Sequence, residues 1–307
     1  MMNILVLGGN GFIGSHLVDA LLKSNNKITV FDKRKSKYTE EYVGVSYVYG
    51  DFNDEDKLKA IINKADVIYH LLSTTVPKSA NLNPVFDVES NLISTIKFLK
   101  LLKDSQLKKF IYISSGGTVY GNPKYLPIDE NHPLLPIGSY GITKVAIESY
   151  VKLFTKKFNV PYLIIRPSNP YGPRQNHSGV QGVIASFLYK AVNNLDLDVW
   201  GDGKSLRDYI YIQDLIDFFI LAGFSKETGE YNLGSGEGNR VNDIIEIINN
   251  ITNKKCNINI KPTSGFVVDK VVLDISKAKK RLGWSPKISL KQGVRKHFDW
   301  MLDSNKN

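Results

Sequence analysis

Tyr140 and Lys144 stand four residues apart, in the run Tyr-Gly-Ile-Thr-Lys. On a helix this spacing puts both side chains on one face, about one turn apart. A tyrosine hydroxyl has an ordinary pKa near ~10, and a nearby ammonium favours the phenolate. Such a base, set beside a hydride acceptor, could take the proton of an alcohol while hydride leaves the same carbon. In a lysine-rich chain the spacing also arises by chance, so its meaning depends on what surrounds it.

A hydride acceptor is signalled near the N-terminus. Gly8-Gly9-Asn10-Gly11-Phe12-Ile13-Gly14 follows the apolar run Asn3–Leu7 and opens a helical pattern. The run satisfies both G-x-G-x-x-G and G-x-x-G-x-x-G. Glycines there permit a tight turn and let the backbone approach a pyrophosphate, whose charge the helix N-terminus stabilises. Gly8, Gly11, Phe12, Ile13 and Gly14 are therefore candidate cofactor contacts. Asp32 ends the next strand, 18 residues beyond Gly14, where a carboxylate accepts the ribose hydroxyls of NAD and repels the extra phosphate of NADP. Asp51 and Phe52 end the third strand and are candidates for the adenine, with a plain strand-end turn as the alternative. Leu71, in His70–Ser73, could line the ribose and pyrophosphate. His70 reads as a packed histidine rather than a proton carrier. Asn91 reads as a polar bridge to neighbouring loops, or as a solvent-facing helix residue.

These candidates have to be positioned by alternating elements. Strand patterns fall at 3–7, 27–31, 45–48, 66–70, 109–114 and 161–166, with amphipathic stretches at 13–24, 55–63, 84–103 and 139–158. The alternation predicts a Rossmann-type, doubly wound parallel α/β sheet covered by helices. From about residue 170 the pattern loosens: helices are expected near 180–193, 241–252 and 290–303, with a mixed segment at 197–222. The expected organisation is an NAD-binding domain over 1–170 and a smaller mixed α/β substrate-binding domain over 171–307. Some later segments should return to the first domain, and the ligand should lie in the cleft between the two.

Composition narrows the class. The chain has 307 residues, is 42% apolar and 23% charged, and carries a net charge of +10, which fits an ordinary folded protein with a solvated basic surface. The densest basic run, Lys33–Lys37, has no interleaved aromatics, so nucleic-acid binding is not expected. One cysteine, Cys256, excludes an intramolecular disulfide framework and fits a reducing cytoplasm. No apolar stretch approaches the ~18 residues of a membrane span. No metal is expected in the site.

The fifth strand runs into Ser114-Ser115-Gly116-Gly117-Thr118-Val119-Tyr120-Gly121, and Tyr140 follows about twenty residues later. With the glycine loop, Asp32, Arg166–Gly172, Gly201–Gly203, Arg207–Tyr209 and Asp274–Ala278, this resembles the extended short-chain dehydrogenase/reductase family, in particular its nucleotide-sugar epimerases and dehydratases. The resemblance spans nearly the whole chain. It implies that Tyr140 takes the proton of a sugar 4-hydroxyl while hydride passes to NAD, and that Lys144 holds the nicotinamide ribose. The keto sugar then turns over and takes the hydride back on its other face. It further implies cofactor contacts at Ser114 and Pro167, nucleotide-sugar contacts at Asn169, Arg174 and Arg207, a homodimer seam along 84–103 and 139–158, and a place in polysaccharide biosynthesis.

Three departures from the family pattern matter. Its usual catalytic serine or threonine falls on Gly116, so the third hydroxyl must come from Thr118 or Ser115. Strand-like alternation through Ser114, Gly116 and Thr118 favours Thr118. The Asp-Glu of the 4,6-dehydratases falls on Gly117-Thr118, which leaves elimination without its acid and base. One of two diphosphate-clamping arginines matches Arg207, while the other position is Ser264, so either Lys204 or Arg174 serves instead or the nucleotide sits differently. Val271, where some epimerases limit sugar bulk, would leave room for an N-acetyl group. The leading expectation is a UDP-hexose or UDP-N-acetylhexosamine 4-epimerase. A 4-keto-6-deoxy sugar reductase of the same fold is the alternative. A non-catalytic dinucleotide sensor is a third, which a Tyr140→Phe variant with full function would favour.

Overall fold

The computed structural model describes residues 1–177, 182–262 and 268–304. Its first elements are β1 (Asn3–Leu7), α1 (Phe12–Leu22), β2 (Lys27–Asp32), β3 (Val45–Tyr49), α2 (Glu55–Ile62) and β4 (Val67–His70). Then come α3 (Pro77–Leu82), α4 (Pro84–Asp87), a wide π-type turn at Val88–Ile93, α5 (Ser94–Leu101), β5 (Lys109–Ile113), α6 (Ser139–Phe158), β6 (Tyr162–Pro167) and β7 (Asn169–Tyr171). The rest comprises α7 (Val183–Val192), β8 (Leu197–Trp200), β9 (Leu206–Tyr211), α8 (Ile212–Phe224), β10 (Gly229–Leu233), β11 (Gly238–Arg240) and α9 (Val241–Thr252), then β12 (Ile258–Lys261), β13 (Lys270–Val271), α10 (Ser276–Leu282) and α11 (Leu290–Ser304).

Seven strands form one sheet in the order β10-β6-β5-β4-β1-β2-β3, each pair parallel. The central strands are apolar because both faces are covered. Ile4 through Leu7, Val67 through Tyr69 and Phe110 through Tyr112 are all buried. On one face α1 and α8 pack together; on the other lie α2, α5 and α6. Strand order reverses between β1 and β4, which opens a crevice beyond their carboxyl ends. The loops carrying Gly8–Gly11 and Leu71–Thr75 flank it.

The smaller part is built on β9, which pairs with β11, β13 and β7, and on the two-stranded β8–β12 pair. Its β7 follows directly from β6, so Asn169 stands at the junction of the two sheets. Among the described residues no helix is long and apolar enough to cross a membrane.

One expected helix is corrected. The stretch 84–103 is not a single α-helix: it changes at Asp87 into the wide turn Val88–Ile93 and returns to α-helix at Ser94. The wide turn carries Asn91, which is buried, inward to meet the loop after β4. Local widening of this kind is how a helix aims one polar side chain off its regular face.

Two histidines are enclosed by this packing. His70 lies among Phe52, Phe98 and Tyr112, with ring centroids 5.2, 5.7 and 5.5 Å away. His297, on α11, is fully buried beside Trp300, and neither ring nitrogen has a partner among the described residues. Burial pushes His70 down to about 3 and His297 down to about 4, with Lys144 and His177 adding to the respective effects. Both are neutral when folded but take a proton in the unfolded chain below its ordinary value. Stability is therefore full above about pH 6.5 and is lost as pH falls toward the folded values. For His297 the loss is on the order of 3 kcal/mol. His297→Leu should flatten this acid limb: melting temperatures at pH 7.5 and pH 5 should lie closer together than in the wild type.

Candidate active site

The glycine loop has the close geometry that the cofactor reading needs. Gly8 is left-handed at φ 81°, and a Cβ on Gly14 would sit 2.1 Å from the Gly8 carbonyl oxygen. That contact lets α1 start directly under the loop. Among the described residues no side chain caps α1, and its first turn holds no acid, so its positive end is open to an anion. Asp32, at the tip of β2, accepts from the amides of Asn10 (3.1 Å) and Arg34 (3.2 Å). This fixes a carboxylate beside the loop, where the ribose of a dinucleotide would lie.

The other expected cofactor contacts are placed as follows. Asp51 turns to its own loop, accepting from Asn53 N at 2.9 Å and Nδ2 at 3.0 Å. Those bonds, with Lys33 at 3.6 Å, hold its carboxyl below the ordinary range. Phe52 stacks on Phe98 at 5.3 Å, and the Leu71 amide donates to Leu7 O at 3.0 Å. Asn91 is the polar bridge: its Oδ1 accepts from Thr74 N at 2.9 Å, and its Nδ2 donates to Thr75 Oγ1 and Asp87 Oδ1, each at 3.0 Å. The buried Ser114 hydroxyl donates to Glu148 Oε1 at 2.5 Å. Pro167 contributes its carbonyl, which accepts the Gly116 amide at 2.8 Å.

Tyr140 and Lys144 occupy one face of α6, as their spacing requires. Lys144 is buried; its Nζ donates to Ile113 O at 3.1 Å and lies 5.0 Å from the Tyr112 ring and 5.5 Å from the Tyr140 ring. Within the protein alone the Tyr140 phenol is shifted upward rather than downward. Burial pushes the phenol up to about 12; the Ser73 hydroxyl eases this and the Asp87 carboxylate adds to it. Burial also pushes Lys144 down to about 8, against the opposing pull of Asp87 and Glu148. Desolvation is the largest influence on both groups.

The third hydroxyl is carried by a turn. Thr118 N and Val119 N both donate to Ser115 O, at 3.2 and 3.1 Å, so β5 ends at Ile113 and the chain coils. The alternation argument through Ser114, Gly116 and Thr118 therefore fails. Thr118 lies on this turn, which packs on α6. A Cβ on Gly141 would lie 2.7 Å from its carbonyl oxygen, which sets the turn against α6 next to Tyr140. Its Oγ1 is buried and has no partner among the described residues. Gly116 is glycine for a packing reason: a Cβ there would sit 2.6 Å from Leu273 Cδ1 and 2.8 Å from Arg166 O.

On the substrate side, Asn169 donates through Nδ2 to Asp208 O at 2.7 Å. Arg207 donates to the carbonyls of Leu206 and Asp269, each at 2.9 Å, and to that of Val268. It makes no ion pair among the described residues, so its charge is not neutralised by a carboxylate. Arg174 pairs through Nη2 with Asp19 of α1 at 2.7 Å, while its buried Nη1 has no hydrogen-bond partner among the described residues. Lys204 pairs with Asp202 at 3.1 Å. Ser264 lies outside the described residues. Val271 is buried with Val119, Tyr120, Ile128 and Leu273.

Sequence reasoning missed two buried acids. Glu148 forms a bidentate pair with Arg166, at 3.0 and 2.6 Å, and Asp87 accepts from four side chains. Their only sequence signals were four-residue spacings, Lys144 to Glu148 and Asp87 to Asn91.

With this geometry in hand, the chain can be set beside known proteins. Residues 4–234 match the model of the NAD dependent epimerase/dehydratase family. A putative UDP-glucose 4-epimerase of Methanocaldococcus jannaschii is 36% identical over 99% of both chains. A dTDP-4-dehydro-6-deoxyglucose reductase of Escherichia coli is 34% identical over 95% of both. The crystal structure of a Thermotoga maritima UDP-glucose 4-epimerase with UDP-glucose has a TM-score of 0.94 at 33% identity, covering 99% of this chain and 100% of that one. The chain belongs to the NAD-dependent epimerase/dehydratase family of extended short-chain dehydrogenases/reductases. It is an enzyme of the NAD-dependent epimerase type, and NAD is its cofactor. When bound, oxidised nicotinamide supplies a hydride acceptor and a positive charge. The glycine loop and α1 would hold its pyrophosphate, and Asp32 its ribose.

Restoring the family's usual residue should not help this chain. Gly116→Ser is expected to destabilise by about 1–3 kcal/mol through overpacking against Leu273 and Arg166, and to lower turnover. A thermal melt and a rate measurement check both.

Proposed function

We propose that this protein is a 4-epimerase of a UDP-hexose or UDP-N-acetylhexosamine, working through a transient 4-keto sugar. The observation that carries the reading is the Tyr140–Lys144 pair on α6, with Lys144 Nζ 5.5 Å from the Tyr140 ring, beside a turn whose Thr118 hydroxyl has no partner among the described residues. Thr118 takes the role left vacant at Gly116: it shares the 4-hydroxyl proton with Tyr140, while Ser115 supports the turn through its carbonyl. Lys144 orients the nicotinamide ribose and keeps positive charge behind the phenol. Asn169 and Arg207 lie on the substrate side, and the unneutralised charge of Arg207 suits a diphosphate. The relatives whose names carry UDP-sugar epimerase activity support the same reading. A keto-sugar reductase is the second reading, favoured by the Escherichia coli relative.

The test is to incubate purified enzyme, without added cofactor, with UDP-glucose, UDP-N-acetylglucosamine and UDP-glucuronate, and to read products by proton NMR. Inversion at C4 alone is expected for one of the first two. No conversion of any, together with consumption of reduced cofactor on a 4-keto sugar, would move the assignment to the reductase. Thr118→Val should lower turnover by about a hundredfold or more, whereas Ser115→Ala should retain most of it.

The protein is further proposed to be a cytoplasmic homodimer. Leu82, Val85, Phe86 and Ile93 are exposed, as are Ile142 and Leu153 of α6. Those six lie on the helical segments that contact one another along this side of the fold. A patch of this kind marks an interface between chains. Light scattering is expected to give twice the chain mass; a monomer would sink the proposal.

A further inference from the structure

Asp87 is fully buried at the end of α4, and four side chains converge on it. Thr75 Oγ1 donates to Oδ1 at 2.5 Å and Asn91 Nδ2 at 3.0 Å; Thr143 Oγ1 donates to Oδ2 at 2.7 Å and Ser139 Oγ at 3.0 Å. These donors come from three places: the loop after β4, the wide turn, and the first two turns of α6. Ser139 immediately precedes Tyr140, and Thr143 immediately precedes Lys144. The carboxylate therefore grips α6 at both reactive positions and ties it to the loop that flanks the cofactor crevice.

Four neutral donors could be satisfied by a neutral acceptor. A buried carboxylate without a cation is costly unless its charge is used, and Asp87 makes no ion pair among the described residues. Its field falls on the reactive pair. It raises the Tyr140 phenol and supports the charge of Lys144.

We propose that Asp87 is a positioning residue: it locks Tyr140 and Lys144 to the cofactor-side loop and supplies the negative charge that keeps the lysine ammonium in place. The proposal rests on the epimerase reading for its kinetic test only. The titratable groups around Lys144 are Tyr140 and Glu148 on its own helix, Asp87 from α4, Tyr112 from β5 and His70 from β4. Of these, Glu148 is committed to Arg166 and Ser114. Asp87 is thus the anion whose removal leaves Lys144 least supported.

Two variants separate charge from tether. Asp87→Asn keeps the volume and much of the hydrogen bonding but removes the charge. Ser139→Ala with Thr143→Val removes the tethers and keeps the charge. With the UDP-sugar that the wild type converts, both should lower kcat about ten- to a hundredfold with little change in KM, because the reacting groups are misplaced rather than the substrate lost. Only Asp87→Asn should slide the profile of log(kcat/KM) toward lower pH, since both Tyr140 and Lys144 then lose protons more easily. A merely structural role would lower the rate without moving the profile.

A substrate-free readout keeps the two proposals apart. The phenolate absorbance that Tyr140→Phe abolishes should appear at lower pH in the Asp87→Asn background. If wild type converts no sugar, the epimerase reading fails and this titration still decides the role of Asp87. An unchanged kcat, pH profile and phenol titration in folded Asp87→Asn would overturn it. If Asp87→Asn does not fold, the Ser139/Thr143 pair carries the test, and an unaltered kcat there overturns it equally.

Discussion

The buried pair between Glu148 and Arg166 fixes the reference frame for everything else in the site. Arg166 is fully enclosed; it grips Glu148 through Nε and Nη2 and reaches Tyr120 Oη through Nη1 at 2.9 Å. Tyr120 passes the connection to Asn232 on β10 at 2.7 Å. One guanidinium thereby joins α6, β6, the turn that carries Thr118, and the edge of the sheet. Burial opposes its charge, and the hydrogen bonds and charge of Glu148 outweigh that opposition and raise its pKa. Such a pair contributes little net stability compared with apolar packing, but breaking one partner is severe, on the order of 3–5 kcal/mol. What it provides is placement. Tyr140, Lys144 and Glu148 stand at successive turns of α6, so anchoring the third sets the height of the first two above the sheet.

Asp208 does comparable work on the other side of the cleft. It is buried, and accepts from Ser235 N at 2.7 Å, Ser235 Oγ at 2.8 Å and Leu273 N at 3.2 Å. Ser168 and Gly236 also reach it, each at 3.3 Å. Burial raises its pKa, and the amides and hydroxyls around it oppose that rise. Because Ser168 and Asn169 both bond to residue 208, the strand carrying Arg207 is registered against the end of β6. The two sides of the cleft are set by separate buried carboxyl hubs. Asp208 takes up backbone amides of Ser235, Gly236 and Leu273 that would otherwise be unpaired, whereas Glu148 is met by side chains, those of Arg166 and Ser114.

How much of this could be read from the chain depends on how local each cause is. The glycine loop and Asp32 were legible because a strand, a turn and a helix N-terminus lie within one short run. The Tyr140–Lys144 face was legible because helix geometry alone creates it. Thr118 was reached by an argument that the structure replaces: alternation does not operate in a coiled turn, and the residue is placed by contact with Gly141. The glycine at 116 was visible only as a departure. Its cause is Leu273, more than a hundred residues away in sequence, which no local pattern contains. Asp87 was invisible for a related reason. Nothing in its neighbourhood distinguishes a surface acid from one that four hydroxyl and amide groups, spread from Thr75 to Thr143, turn inward to meet. For Arg174 the motif supplied the cation, while its ion-pair partner, Asp19, lies on another element and carried no signal.

The opposite displacements of Tyr140 and Lys144 have one origin, and that origin says how the chemistry is controlled. Desolvation disfavours whichever form carries charge. It therefore moves a phenol upward and an ammonium downward, to about 12 and about 8 here. A chain built only to make a strong base would have exposed the tyrosine or set a cation directly against it. Here Lys144 is buried, Tyr140 is half-buried beside it, and Asp87 and Glu148 support the ammonium. The lysine is held against Ile113 O at 3.1 Å, 5.5 Å from the Tyr140 ring. A positive charge bound beside the phenol would favour its ionised form, and low polarity strengthens such an interaction.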